Sequence, residues 1–247
     1  MSYVSPDHPL ESGKTPAASS ARSAPNKLSR PGWPEIVVGL IVFAAVAVGG
    51  VSLLRRLGLD PVAYGLILTS WTGVATLAAF AAAALLRIRS WSAFGVRRVS
   101  WRWLLIGVGV GVAAFVLKGL AILAWIRITG DSANPQTVYA EGGSGGVLSL
   151  ILATVFIAVV APLGEELLYR GVVTNALLRY GPFVAVVGST LIFALLHGIN
   201  ITFPAAVVAG LATAEVFRRS GSVWPGVVVH AVFNLPTIPV MVLAGAG

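Results

Sequence analysis

The sequence predicts an all-α, polytopic membrane protein, a helical bundle of about seven transmembrane helices. Three observations lead there. Of 247 residues, 57% are hydrophobic and only 11% charged, and the apolar residues fall in long uncharged runs. Runs of about 20 residues suit a bilayer core of ~30 Å, where only helices and closed barrels satisfy every backbone group. The runs are continuous and do not alternate with polar residues, which excludes a barrel.

Residues 1–33 are rich in Ser, Pro and Ala with scattered charge and lack an apolar run. This composition predicts a disordered cytoplasmic tail, with no secretory signal in it. Residues 34–247 form one integral membrane domain. Its expected spans are Ile36 to Leu54, Pro61 to Leu86, Leu104 to Ile126, Val147 onward to Arg179, Pro182 to His197, Ile201 to Phe217 and Val223 to Val242. The third is interrupted by Lys118, which either meets a carboxylate or turns into the bundle or a polar cavity. In the sixth, Glu215 precedes Arg218 and Arg219 by three and four residues, within reach on one helix face. Gly107 and Gly111 allow a close helix approach. The segment from Thr129 to Gly145, rich in Gly and Ser, is expected as an outward-facing loop.

The net charge is +8. The basic residues gather at the ends of apolar runs, the pattern of cytoplasmic loops beside anionic lipid, so the expected surroundings are a bilayer and not a nucleic acid. With the N-terminus inside, twelve Lys and Arg fall on inner segments and three, Arg55, Arg56 and Arg127, on outer loops. This places a multi-pass protein in the cell (plasma) membrane with its N-terminus cytoplasmic. Arg87 to Trp103 mixes five arginines with Trp91, Phe94, Trp101 and Trp103, as suits a segment at headgroup level. The chain has no Cys, which excludes disulfides, thiolate metal sites and a Cys nucleophile.

The candidate site begins at Glu165 and Glu166. Adjacent carboxylates are costly in hydrocarbon and mark a functional site unless they are a structural ion pair. Arg170, four residues after Glu166, can pair with a carboxylate. Glu166 lies 15 residues before Gly181 and His197 lies 16 after it, so an antiparallel pair of helices sets both ~22–24 Å from the turn. His230 and Asn234 stand four apart on the last span, with Asn234 at comparable depth. Each of these residues alone reads equally well as a satisfied helix–helix hydrogen bond. Together they converge on one layer, with Phe193 four residues before His197 to wall it.

No Ser sits in a nucleophile elbow, no Ser–Lys dyad is evident, and no His-Glu-x-x-His motif occurs. Carboxylate and imidazole remain, which suits activation of water. One Glu takes a proton and later passes it to the leaving amine, while His230 and Asn234 stabilise an oxyanion. Equally, one Glu and two His form a catalytic zinc set; the candidates are Glu166, His197 and His230. The residues do not choose between the two.

Glu-Glu-x-x-x-Arg (Glu165 to Arg170), Phe-x-x-x-His (Phe193 to His197) and His-x-x-x-Asn (His230 to Asn234) occur in that order on three helices. In this ordered set, over about 146–244, the chain resembles the CPBP (Abi) family of intramembrane proteases. That family includes type II CAAX prenyl endopeptidases and proteins linked to bacteriocin processing and self-immunity. The approach to the last motif, Phe217 to Trp224, is similar as well. The resemblance implies an intramembrane endopeptidase of the type commonly called metalloprotease, acting on a membrane-associated, prenylated or leader-type peptide. It implies Glu165 or Glu166 with His197 for water, His230 and Asn234 for the oxyanion, and Arg170 ordering the Glu pair. It leaves open a divalent metal such as zinc or a metal-free Glu/His mechanism, and it implies eight spans where this chain shows seven. Two other readings remain: a non-catalytic immunity or scaffold protein of the same fold, and a proton-coupled transporter. The absence of an internal repeat speaks against the transporter.

Overall fold

A computed structural model describes Met1 and residues 30–245. The expected tail therefore lies, for residues 2–29, outside the described residues. The described residues are mostly helical, and no strand occurs among them. Five helices are long and apolar enough to cross a membrane, namely Trp33–Leu54 (α1), Pro61–Leu86 (α2), Trp101–Thr129 (α3), Val147–Tyr180 (α5) and Val223–Leu243. The last is two helices in series, Val223–Asn234 (α8) and Thr237–Leu243 (α9). Between α5 and α8 come Pro182–Leu196 (α6) and Thr202–Ser220 (α7), which complete the seven expected bundle segments.

Local chemistry sets the boundaries. Asp60 caps α2 by accepting from the Ala63 amide at 3.0 Å, with Pro61 in the first turn. Pro182 opens α6 after Gly181. Ser222 caps α8, and Gly221, left-handed at φ 64°, ends α7. Side chains such as Ile41 and Val48 on α1 and Leu105, Val112, Leu120 and Leu123 on α3 are exposed, an outer surface suited to lipid.

α5 is the centre. It packs on α1, α2, α6, α7 and α8, and every residue from Gly164 to Thr174 is buried. It is not a regular α-helix. Phe156–Val160 and Glu166–Thr174 are wound as π-helix, a winding frequent at functional sites. Thr174 Oγ1 bonds back five residues to the Tyr169 carbonyl and across to Ser189 of α6 at 2.8 Å.

α3 buries only Gly107, Gly111 and Ala114. A Cβ at Gly107 would lie 2.9 Å from the Pro225 carbonyl, and one at Gly111 would lie 2.8 Å from that of Val229. The two glycines thus let α3 touch the backbone of α8, which carries His230.

Three expectations need correction. The segment from Thr129 to Gly145 is not simply a loop. It contains Thr137–Gly143 (α4), which packs on α2, α5 and α9 and buries Ala140, Gly142 and Gly143. The seventh span is not one helix; it breaks after Asn234, where Pro236 has no amide hydrogen to continue the ladder. The fourth span is not wound at a uniform pitch, because of the π segments.

Candidate active site

The two adjacent glutamates have different surroundings. Glu166 is fully buried and both its oxygens are engaged. Oε2 lies 3.1 Å from Arg170 Nε, and Oε1 lies 2.9 Å from His230 Nδ1. A side chain at position 226 would crowd this carboxylate, since a Cβ on Gly226 would lie 2.7 Å from Glu166 Oε2. Arg170 is likewise fully buried. Its Nε reaches Thr213 Oγ1 at 2.7 Å and its guanidinium carbon lies 5.2 Å from the Phe193 ring centroid. The two Nη atoms have no hydrogen-bond partner. Glu166 and Arg170 therefore form a closed ion pair behind the site, braced by α7 and α8.

Glu165 faces the other way. It lines a cavity of about 90 Å³, together with His197, His230, Asn234, Phe193 and Tyr139. That volume has room for several water molecules. Of the six residues singled out in the sequence, four line the cavity, and Glu166 and Arg170 stand behind them. Two further cavities share its walls. One, of about 220 Å³, extends past Tyr169, Leu196 and Phe43; the other, of about 180 Å³, extends past Lys118, Phe115 and Met241.

Hydrogen bonds set the ring orientations. His197 stands at the C-terminal end of α6, its Nδ1 2.8 Å from the Phe193 carbonyl. A carbonyl only accepts, so Nδ1 carries the proton and Nε2 is the free nitrogen. Asn200 fixes the following turn, donating to the His197 carbonyl at 3.2 Å and accepting from the Thr202 amide at 2.8 Å. His230 Nδ1 is occupied by Glu166, which leaves its Nε2 3.6 Å from Glu165 Oε2. Asn234 donates one Nδ2 hydrogen to the Ile157 carbonyl at 3.1 Å and keeps a second for the cavity. Phe193 packs against both imidazoles, with centroid separations of 4.4 Å to His197 and 5.9 Å to His230.

Glu166, His197 and His230, the metal candidates, are not arranged as a ligand set. Glu166 is committed to Arg170 and His230, and among the described residues no three His, Asp or Glu side chains are grouped to hold one ion.

Sequence reasoning missed Gln136 and Tyr139, which reach the cavity from the α4 region, and Thr213, the second partner of Arg170. The first two had no readable signal, because a short Gly-rich stretch shows no period. Thr213 carried a faint one, as a hydroxyl inside an apolar run. Of the two expectations for Lys118, a carboxylate partner or a turn into the bundle or a polar cavity, the structure shows the second; it lines the cavity and donates to Thr237 Oγ1 at 2.8 Å.

Residues 147–236 match a family model described as type II CAAX prenyl endopeptidase Rce1-like. The match opens at the first residue of α5 and closes just after Asn234, so it encloses all six candidate residues. No curated protein and no solved structure matches the chain. Over α5 to α8, then, the chain is similar to the type II CAAX prenyl endopeptidase Rce1-like family.

Proposed function

We propose that the protein is an intramembrane endopeptidase in which Glu165 activates water for attack on a peptide bond of a membrane-associated substrate. One observation carries this reading. Of the two glutamates, only Glu165 lines the cavity with both imidazoles and Asn234, while Glu166 is spent on Arg170 and His230. In the proposed reaction Glu165 takes a proton from a water seated between it and His197, and the hydroxide attacks the carbonyl carbon. The second Nδ2 hydrogen of Asn234, and His230 Nε2 when protonated, face the developing oxyanion. Glu165 then gives its proton to the leaving amine, and the carbon–nitrogen bond breaks. Glu166 and Arg170 act on this chemistry by orienting His230. The donor set supports a metal-free course, so purified protein should keep its activity after treatment with a chelator.

The cavity lies towards the end of the bundle that carries Gln136, Thr202 and Thr237, away from the basic end at Arg30, Arg87 to Arg102, Arg179, Arg218 and Arg219. With the basic end inside, substrate approaches from the outer half of the membrane.

The test is comparative proteomics of membranes containing the unaltered protein, Glu165→Gln or His197→Ala. A peptide fragment formed by the unaltered protein and missing from both variants is the expected result. Equal fragments in all three, with equal biological activity, would leave the scaffold or immunity reading in its place.

A further inference from the structure

The basic end of the bundle has an opening of its own, apart from the Glu165 cavity. A cavity of about 340 Å³ there is lined by Arg30, Arg97 and Arg218, with Ser92, Asn175 and Phe217 among its other walls. Among the described residues, no Asp or Glu lines it. The three arginines come from distant parts of the chain, namely the approach to α1, the segment between α2 and α3, and the last turn of α7. Like charges repel, so they share one cavity only where the fold holds them there or an anion joins them.

The fold holds these. Arg97 Nε donates to the Gly221 carbonyl at 2.6 Å, and a side chain at Gly221, left-handed at φ 64°, would collide with Arg97 Nη2. Arg218 is fixed by both oxygens of Glu215, at 2.7 and 2.6 Å. Arg30 precedes Pro31, whose carbonyl accepts from Arg179 Nη2. Held in this way, the guanidiniums lose little freedom when a ligand arrives.

Their charge is not matched. None of the ion pairs among the described residues includes Arg30 or Arg97. Arg218 shares its one carboxylate with Arg219. Arg97 spends Nε on a carbonyl, and Asn175 gives one Nδ2 hydrogen to the Ala93 carbonyl at 2.8 Å and keeps the second. The ligand this set lacks is an anion that accepts from several directions. A carboxylate presents two oxygens in one plane and is satisfied by one guanidinium; a phosphoryl group presents three, arranged around phosphorus. The exposed Trp91 and Trp101 flank the segment that carries Ser92 and Arg97, which sets the cavity at headgroup level.

We propose that Arg30, Arg97 and Arg218, with Ser92 and Asn175, form a binding site for a phosphoryl group, carried by a phospholipid headgroup or by a soluble phosphate ester. The bound group bridges the approach to α1, the α2–α3 segment and the end of α7, and so fastens the contact of Arg97 with Gly221 just before α8. The site is separate from the reaction proposed above and stands whether or not the chain cuts a peptide.

The experiment follows thermal unfolding of the detergent-purified full chain by tryptophan fluorescence as inorganic phosphate, glycerol 3-phosphate or acetate is added at constant ionic strength. Both phosphates should raise the melting temperature along a saturable curve, as a ligand of the folded state does, and acetate should not. Arg30→Gln should shift the phosphate midpoint about tenfold upward, the loss of one charge-assisted contact. Arg98→Gln removes a neighbouring exposed charge outside the cavity and should leave the midpoint in place. A second arm uses phosphatidylcholine nanodiscs with and without phosphatidic acid. If phosphatidic acid raises the melting temperature and removes the response to added phosphate, the headgroup is the source; if added phosphate still acts, a soluble ester is. An equal response to acetate, no response to a phosphate compound in either arm, a midpoint that Arg30→Gln leaves unchanged, or equal losses in Arg30→Gln and Arg98→Gln overturns the proposal. The phosphate–acetate comparison on the unaltered chain decides even if a variant misfolds.

Discussion

The two ends of the bundle are built on opposite terms. At the basic end, charged groups are tied. Arg87 donates to the fully buried Glu35 and closes the α1–α2 hairpin, with Glu35 also accepting from the Gly32 amide at 2.7 Å. Arg218 and Arg219 share Glu215, as the sequence spacing predicted. Arg97 donates to the Gly221 carbonyl at 2.6 Å, and Ser222 donates to the Arg97 carbonyl at 2.8 Å, fastening the Trp- and Arg-rich segment to the start of α8. At the opposite end, helices break at His197 and after Asn234, a short helix is inserted, and polar side chains surround open space without full partners. A polar group with its partner in place builds structure; one left short of partners is available for a ligand. The contrast separates the two glutamates as well, since Glu166 belongs to the tied part and Glu165 to the open part.

The sharpest test of the contrast is a pair of substitutions at neighbouring positions. Glu165→Gln is expected to abolish fragment formation with little change in melting temperature. Glu166→Gln should cost both, because it leaves the buried Arg170 uncompensated, a loss of about 3–5 kcal/mol for a broken buried pair. If thermal melting of the two variants is equally lowered, the division between an open and a tied glutamate is wrong. Next in size is Gly226→Ala, whose methyl group would press on Glu166 Oε2. Overpacking of this kind costs about 1–3 kcal/mol and should displace the carboxylate that orients His230, so activity and stability fall together. Arg87→Gln should be milder, about 1–2 kcal/mol by melting, because the arginine is partly exposed to begin with and Glu35 keeps the Gly32 amide as a donor. Fragment formation should survive it.

The smallest effect is expected from a labelling test that asks only about sidedness. The chain has no Cys, so a single introduced thiol reports alone. Gln136→Cys should react with a membrane-impermeant maleimide added outside intact cells, and Ser92→Cys only after the membrane is opened. The reverse pattern would turn the bundle over and move the proposed approach of substrate to the inner face.

Much of this was legible in the sequence, for identifiable reasons. The bundle follows from uncharged runs long enough to span, the depths of Glu165 and His197 from counting residues to the Gly181 turn, and those of His230 and Asn234 from counting along the last span. Their meeting at one cavity survives the irregular winding of α5 because depth along a helix depends weakly on pitch over such distances. What depends on azimuth was not legible. Adjacent residues point ~100° apart on an α-helix, and which of Glu165 and Glu166 meets the cavity is decided by the packing of α5 against α7 and α8. The insertion of α4 was hidden for another reason. Its residues fit around α2 and α9 by being small, and smallness in a Gly-rich stretch reads as a loop. The break after Asn234 had a visible cause in Pro236, which hydropathy alone passes over.

The loose winding of α5 between Glu166 and Thr174 has a consequence for chain length itself. A π turn holds one residue more than an α turn, so this stretch differs from a regular helix by an insertion, not by composition. Deleting one residue there while the loose winding is kept would turn all that follows by about a quarter of a turn relative to Glu165. Thr174 would leave Ser189, and the Asn175 amide group would leave the Ala93 carbonyl it reaches at 2.8 Å. A conservative substitution in this stretch changes one contact; a one-residue deletion changes the phase of the whole helix. Here the number of residues is itself part of the site.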